Sequence, residues 1–216
     1  MFGVGFFTSL LPLHRGPSAV TRKYLNEMPM IARTKPVTTA DQLFAMPADN
    51  KQYELVDGVL KMMSPAGSEH GKIAGRIFAR LAVHVEQNDL GETYAAETGF
   101  LISSNPDTVR APDAAFVSNQ RLASVEPTKS YLPLAPELVV EVISPNDRFS
   151  EVEAKASQWL AAGTKLVLVA DPENLTLKTY APEAKIQTFQ SGDTVDCGTA
   201  CDQWTLSVDD VFRIKA

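Results

Sequence analysis

Between Leu138 and Asp171 the chain reads LVVEVISPNDRFSEVEAKASQWLAAGTKLVLVAD, two apolar runs separated by a helical pattern of about a dozen residues. Strands joined by so long a crossover lie parallel in one sheet. A βαβ unit is therefore expected: a strand over Glu137 to Ser144, a helix over Ser150 to Ala162 stopped by Gly163, and a strand over Lys165 to Ala170. One residue conflicts with that simple picture. Glu141 puts a carboxylate inside a buried strand, which is costly unless the charge has a partner, often a metal.

The chain has 216 residues, of which 44% are apolar, enough for one core. A net charge of −6 argues against coating nucleic acid by charge alone, since such binding rests on many Lys/Arg contacts to phosphate. A local basic groove stays open. Cys197 and Cys201 are the only cysteines, and His14, His70 and His84 are not near them in sequence, so the paired ligands of a structural zinc site are missing. The cysteines read as reduced thiols of a cytoplasmic protein. The opening MFGVGFFTSLLPLHRG is too short to span a bilayer and lacks the basic start of a secretory signal. No membrane partner is expected. Met28 and Met30 precede the first patterned segment, so residues 1–34 are set aside as an extension or a mis-assigned start, and 35–216 are read as one domain.

Along that domain, Thr39 and Gln42 have capping-box spacing at a short helix that Pro47 stops. YELVDGVLKMMSP reads as a hairpin turning at Asp57-Gly58. Ile73, Ile77, Phe78, Leu81 and Val85 recur at helical spacing from Ser68 to Asn88. Thr93 to Ile102 and Val109 to Ser118 read as strands, Ser118 to Pro136 as a loop with room for a helical turn, and 174–190 as an added hairpin. TLSVDDVF ends the chain as a short helix or turn. This order predicts an α/β sandwich with a mixed central sheet flanked by helices.

Two isolated acids on successive strands, Asp113 in RAPDAAFVS and Glu141, could converge on one point, and such hard oxygen donors suit Mg²⁺ or Mn²⁺. The plainer reading leaves each acid solvated at a strand end. Ile143 stands where many metal nucleases carry a lysine, two residues beyond the glutamate. Lys155 lies at the edge of the apolar face formed by Val152, Ala156, Trp159 and Leu160. Its stem could run along that face to the sheet, or its amine could pair outward with Glu151 at i, i+4. Lys72, Arg76 and Arg80 stripe one side of the first long helix, either as a solvated face or as phosphate contacts. Walker, G-x-G-x-x-G and G-x-S-x-G motifs are missing, so NTP hydrolysis, dinucleotide binding and serine esterase chemistry lack support.

Taken in order, YELVDG, the Pro-Asp of RAPDAAFVS, APELVVEVISPND, and EVEAKASQWLAAG followed by an apolar strand and Asp171-Pro172 resemble the Uma-two (Uma2) family of restriction-endonuclease-like proteins. That family lies within the PD-(D/E)XK nuclease superfamily. The resemblance implies a restriction-endonuclease-like fold and an Mg²⁺- or Mn²⁺-dependent endonuclease that hydrolyses DNA phosphodiesters with a metal-activated water. It implies Asp113 and Glu141 as metal ligands, with the Val142 carbonyl as a third. Lys155 matches the family's helix lysine, which would orient or help deprotonate the attacking water and offset phosphate charge. Glu54 matches a hairpin acid near the same site, and His70 matches a family position at the helix start, where a lone histidine is more often structural than catalytic. Trp159 stands where the family commonly has tyrosine and reads as packing. Cutting both strands of DNA would call for a homodimer. The alternative is a catalytically inactive module of the same fold that binds nucleic acid or a protein partner. A carboxylate-pair hydrolase acting on sugars is less favoured, because two acids alone do not define it.

Overall fold

The computed structural model describes residues 36–213 apart from 48, 50 and 146. The chain divides between Lys35 and Pro36 into two units. The expected extension over 1–34 lies outside the described residues, and the fold that follows is that of the second unit.

The unit opens with helix α1 (Ala40–Phe44). Thr39 caps it, accepting from the Gln42 amide while the Gln42 side chain returns to the Thr39 amide. Strands β1 (Gln52–Val56) and β2 (Val59–Met63) then form the expected hairpin. Asp57 at φ 50° and Gly58 at φ 72° take the left-handed conformations that a tight two-residue turn requires. Helix α2 (Ser68–Gln87) follows, burying Ile73, Ile77, Leu81 and Val85 at one-turn spacing.

The strands after α2 are shorter than their apolar runs suggest. Thr93 to Ile102 is divided into β3 (Gly91–Ala95) and β4 (Phe100–Ser103), and these belong to different sheets. A turn closed by the Thr98 amide on the Ala95 carbonyl, with Glu97 at φ 74°, separates them. Val109 to Ser118 likewise becomes β5 (Thr108–Arg110) and β6 (Ala114–Ser118). Pro112 cannot donate to a ladder, and the Ala111 amide is spent on the Glu54 carboxylate, so pairing breaks there.

A short helix α3 (Asn119–Leu122) supplies the helical turn of the following loop. Strand β7 (Leu138–Val142), helix α4 (Phe149–Ala161) and strand β8 (Leu166–Asp171) form the βαβ unit, and β7 and β8 pair in parallel as predicted. The hairpin β9 (Thr176–Tyr180) and β10 (Gln187–Phe189) extends the sheet. A ribbon of β11 (Thr194–Asp196) and β12 (Thr205–Ser207), with helix α5 (Val208–Phe212), ends the described chain.

The main sheet has the order β10-β9-β8-β7-β6-β3, mixed in direction, and the second has the order β2-β1-β5-β4. On one face of the main sheet α2 packs on Phe116, Leu138, Val140 and Leu168 together with the C-terminal ribbon. On the other, Trp159 and Ala156 of α4 and Phe100 of β4 pack on Val139, Val167 and Val169. Glu141 is on this second face, between the sheets' shared core and α4.

Two features of the C-terminal region bear on earlier expectations. Arg76 donates to the Val211 carbonyl, while Arg80 lies 3.7 Å from Asp210 in a solvent-exposed pair, so the α2 stripe borders α5 and stays partly solvated. Cys197 and Cys201 are buried and free, and burial pushes both thiols up to about 12. At that value they are neutral, unreactive groups.

The α2-to-β3 junction depends on Gly91, whose φ is +151° and where an added Cβ would lie 2.1 Å from the Val117 carbonyl oxygen. Gly91→Ala should therefore destabilise the fold by at least about 2 kcal/mol, read as a lowered urea midpoint. An unchanged midpoint would show that this junction can relax.

Candidate active site

Glu141 occupies the fourth position of β7 and is 8% exposed. Both of its oxygens are engaged by α4: Lys155 Nζ donates to Oε2 at 2.8 Å and Trp159 Nε1 donates to Oε1 at 2.9 Å. Residues four apart on a helix share a face, so one face of α4 supplies both donors. Lys155 therefore turns in to the sheet. Glu151 instead accepts from the Arg148 amide at the start of α4. Trp159 fills the core as expected, and its indole N–H also positions the buried acid, a role that a packing reading overlooks.

Lys155 has a second carboxylate neighbour from the other sheet. Glu54 Oε1 lies 3.5 Å from Nζ and accepts from the Ala111 amide at 3.0 Å, while Glu54 Oε2 accepts from Arg110 at 2.6 Å. Arg110 also donates to the Gln158 side-chain oxygen, from Nε at 3.1 Å and from its second terminal nitrogen. Glu54, Arg110, Lys155 and Gln158 thus tie β1, β5 and α4 together. Arg110 and Gln158 were not singled out from sequence. An arginine in the apolar run TVRAPDAAFV was the available signal, because a buried guanidinium needs an acid partner.

Asp113 stands immediately before β6, beside the end of β7, and its Oδ2 accepts from the Val142 amide at 2.7 Å. His70, in the first turn of α2, approaches the same oxygen at 3.2 Å. The structure thus brings Asp113, Glu141, Lys155, Glu54, His70 and Val142 into one cluster, and leaves the stripe of Lys72, Arg76 and Arg80 outside it.

The charges in this cluster act on one another. Burial, with the Asp113 charge added and the Lys155 charge opposing, pushes the Glu141 carboxyl up to about 7. Burial would lower Lys155, but Glu141 and Glu54 outweigh it and hold the ammonium above its ordinary value. Burial also opposes ionisation of Glu54, and here Lys155 and Arg110 win and hold the carboxyl below its ordinary value. The hydrogen bond to Asp113 raises His70 against the effect of burial, and the Val142 backbone adds to the rise.

The donor set can be tested against a divalent cation. Among the described residues no three His, Cys, Asp or Glu side chains are arranged to hold an ion. Mg²⁺ does not need three: one or two carboxylates with water and a phosphate suffice. Asp113 engages protein donors through Oδ2, and the backbone of Val142 lies at the same point. Asp113 and Glu141 supply hard carboxylate oxygens of the kind such a cation takes.

The family model described as "Uma2: Putative restriction endonuclease" matches residues 40–209. A crystal structure described as that of "a putative nuclease belonging to DUF820" from Anabaena variabilis ATCC 29413 is similar with a TM-score of 0.71 and 18% identity, covering 82% of this chain and 98% of that one. At that identity the likeness bears on the fold, which it shows to be the nuclease-like mixed α/β arrangement. No curated protein matches the chain.

Glu54, with its side chain 3% exposed, generates the prediction here. Its folded pKa lies below the unfolded value of 4.5, so its contribution is fully present above that value and is lost as pH falls through the folded pKa. Glu54→Gln should cost about 3 kcal/mol at neutral pH, because Arg110 and Lys155 lose their shared counter-charge. The gap from wild type should narrow in acid. Urea unfolding across pH measures it, and a gap that widens on acidification would contradict the assignment.

Proposed function

The chain belongs to the Uma2 family, and from that membership and the cluster around Glu141 we propose that it is an Mg²⁺- or Mn²⁺-dependent endonuclease acting on DNA phosphodiesters. One observation carries the reading: Lys155, arriving from α4, puts its ammonium 2.8 Å from a buried strand carboxylate, and Asp113 stands just before the start of the neighbouring antiparallel strand β6. The lysine lost at Ile143 is thereby replaced in space.

Asp113, Glu141 and the Val142 carbonyl are the groups that would hold the cation. When bound, it supplies Lewis-acid stabilisation of phosphoryl charge and makes a water more acidic. The chain's own residues provide the rest. Glu54, Asp113 and Glu141 bring three carboxyl groups together with Arg110, Lys155 and His70, and a bound cation would favour the ionised form of Glu141, whose carboxyl burial pushes up to about 7. Lys155, kept charged by Glu141 and Glu54, has one N–H left beyond those two acids, and with it donates a hydrogen bond to a phosphoryl oxygen as charge builds there. Trp159 fixes the orientation of Glu141, and His70 does the same for Asp113. Glu54 acts behind Lys155, locked by Arg110 and the Ala111 amide, and keeps the amine from swinging out.

One observation favours the inactive-module reading, namely that both Glu141 oxygens already accept from protein donors. Plasmid nicking in Mn²⁺ together with Mn²⁺ calorimetry separates the two. On the nuclease reading wild type binds Mn²⁺ and nicks, Asp113→Asn and Glu141→Gln lose both, and Lys155→Met retains the metal while nicking at least about a hundredfold more slowly. Wild type that takes up no Mn²⁺ and leaves plasmid intact would overturn it.

A further inference from the structure

The cations of the cluster are fully committed. Arg110 is held by Glu54 and Gln158, Lys155 by Glu141 and Glu54, and His70 by Asp113. None of them is free to hold a DNA backbone beyond the reacting group. On the α2 stripe Arg76 and Arg80 are turned to α5. A protein of net charge −6 still needs local positive charge where DNA enters.

The register of the β1–β2 hairpin supplies one. Glu54 pairs with Lys61, and directly opposed residues of an antiparallel pair project from the same face. Leu55 and Leu60, the next pair, pack together in the core beneath α1, on the opposite face. Lys61 therefore lies on the face that carries Glu54 and the reacting cluster. It is exposed, on the outer strand of its sheet, with no carboxylate within 4.0 Å among the described residues. Val59 and Met63 flank it on that face at 59% and 40% exposure. An exposed cation between two apolar side chains suits a strand whose phosphates alternate with less polar sugars.

We propose that Lys61 is a phosphate-contacting residue that holds the DNA strand beside the reacting cluster, with β2 as the edge along which the strand lies. One strand spacing of about 4.8 Å separates Lys61 from the Glu54 position. The long lysine side chain therefore reaches the solvent edge beside the cluster, where the backbone of a bound strand would pass. The contact is to the backbone, so it adds affinity without base preference. This assignment rests on the DNA-nuclease reading above, and its test is chosen to keep the two apart.

Binding of a fluorescent duplex is measured by anisotropy in Ca²⁺ over a series of salt concentrations, for wild type, Lys61→Met, Lys61→Arg and Lys165→Met. Lys165 is an exposed lysine at the opposite end of β8 and serves as the control. Lys61→Met should weaken binding severalfold and make the plot of log affinity against log salt shallower by about 0.9, the loss of one phosphate contact. Lys61→Arg should restore both, Lys165→Met should match wild type, and Mn²⁺ uptake by Lys61→Met should be unchanged. Wild-type affinity and slope in Lys61→Met, with wild type binding the duplex, would overturn the role of Lys61 alone. Failure of wild type itself to bind would overturn the DNA reading, and this assignment with it.

Discussion

A carboxylate buried on the central parallel strand is the constraint around which this part of the protein is arranged. Glu141 on β7 is removed from water, and burial pushes its carboxyl up to about 7. The fold answers by placing α4 so that one helical face brings an ammonium and an indole N–H to its two oxygens. The length of the β7–α4 connection, the facing of α4 and the entry of β1 from the second sheet all bear on that contact. Buried ion pairs seldom add net stability over apolar residues of the same size. Retaining one between sheet and helix fits a site built for chemistry better than a site built for stability.

The second sheet is tied into the same arrangement. Glu54 and Arg110 come from neighbouring strands β1 and β5, and Arg110 holds Glu54 where its other oxygen lies 3.5 Å from the Lys155 amine. Lys155 is thus held between two acids from two sheets. Two close anions keep the ammonium charged, so it is suited to donating hydrogen bonds and not to accepting a proton.

Much of this was legible in the sequence, and the failures have definite causes. The apolar runs around Glu141 and the long crossover predicted the parallel β7–β8 pair, and helical spacing put Lys155 at the edge of a buried face. Whether its amine turned in or out could not be read from spacing, because Glu151 offered an equally near acid on the exposed side. The answer lay in Glu54, about a hundred residues earlier in the chain. The runs over Thr93 to Ile102 and Val109 to Ser118 each join two strands of different sheets, because a positive φ at Glu97 and the missing N–H of Pro112 divert the chain between them. Trp159 was half understood: its burial follows from periodicity, but its hydrogen bond depends on which strand faces it.

The central claim is that Asp113, Glu141 and the Val142 carbonyl form one cation site beside Lys155. Anomalous diffraction from crystals soaked in Mn²⁺ tests it most directly. The account predicts one strong peak within about 2.2 Å of oxygens from Asp113 and Glu141, with the Lys155 amine nearby. A peak elsewhere, or none, with Glu141 still held by Lys155 and Trp159, would contradict it.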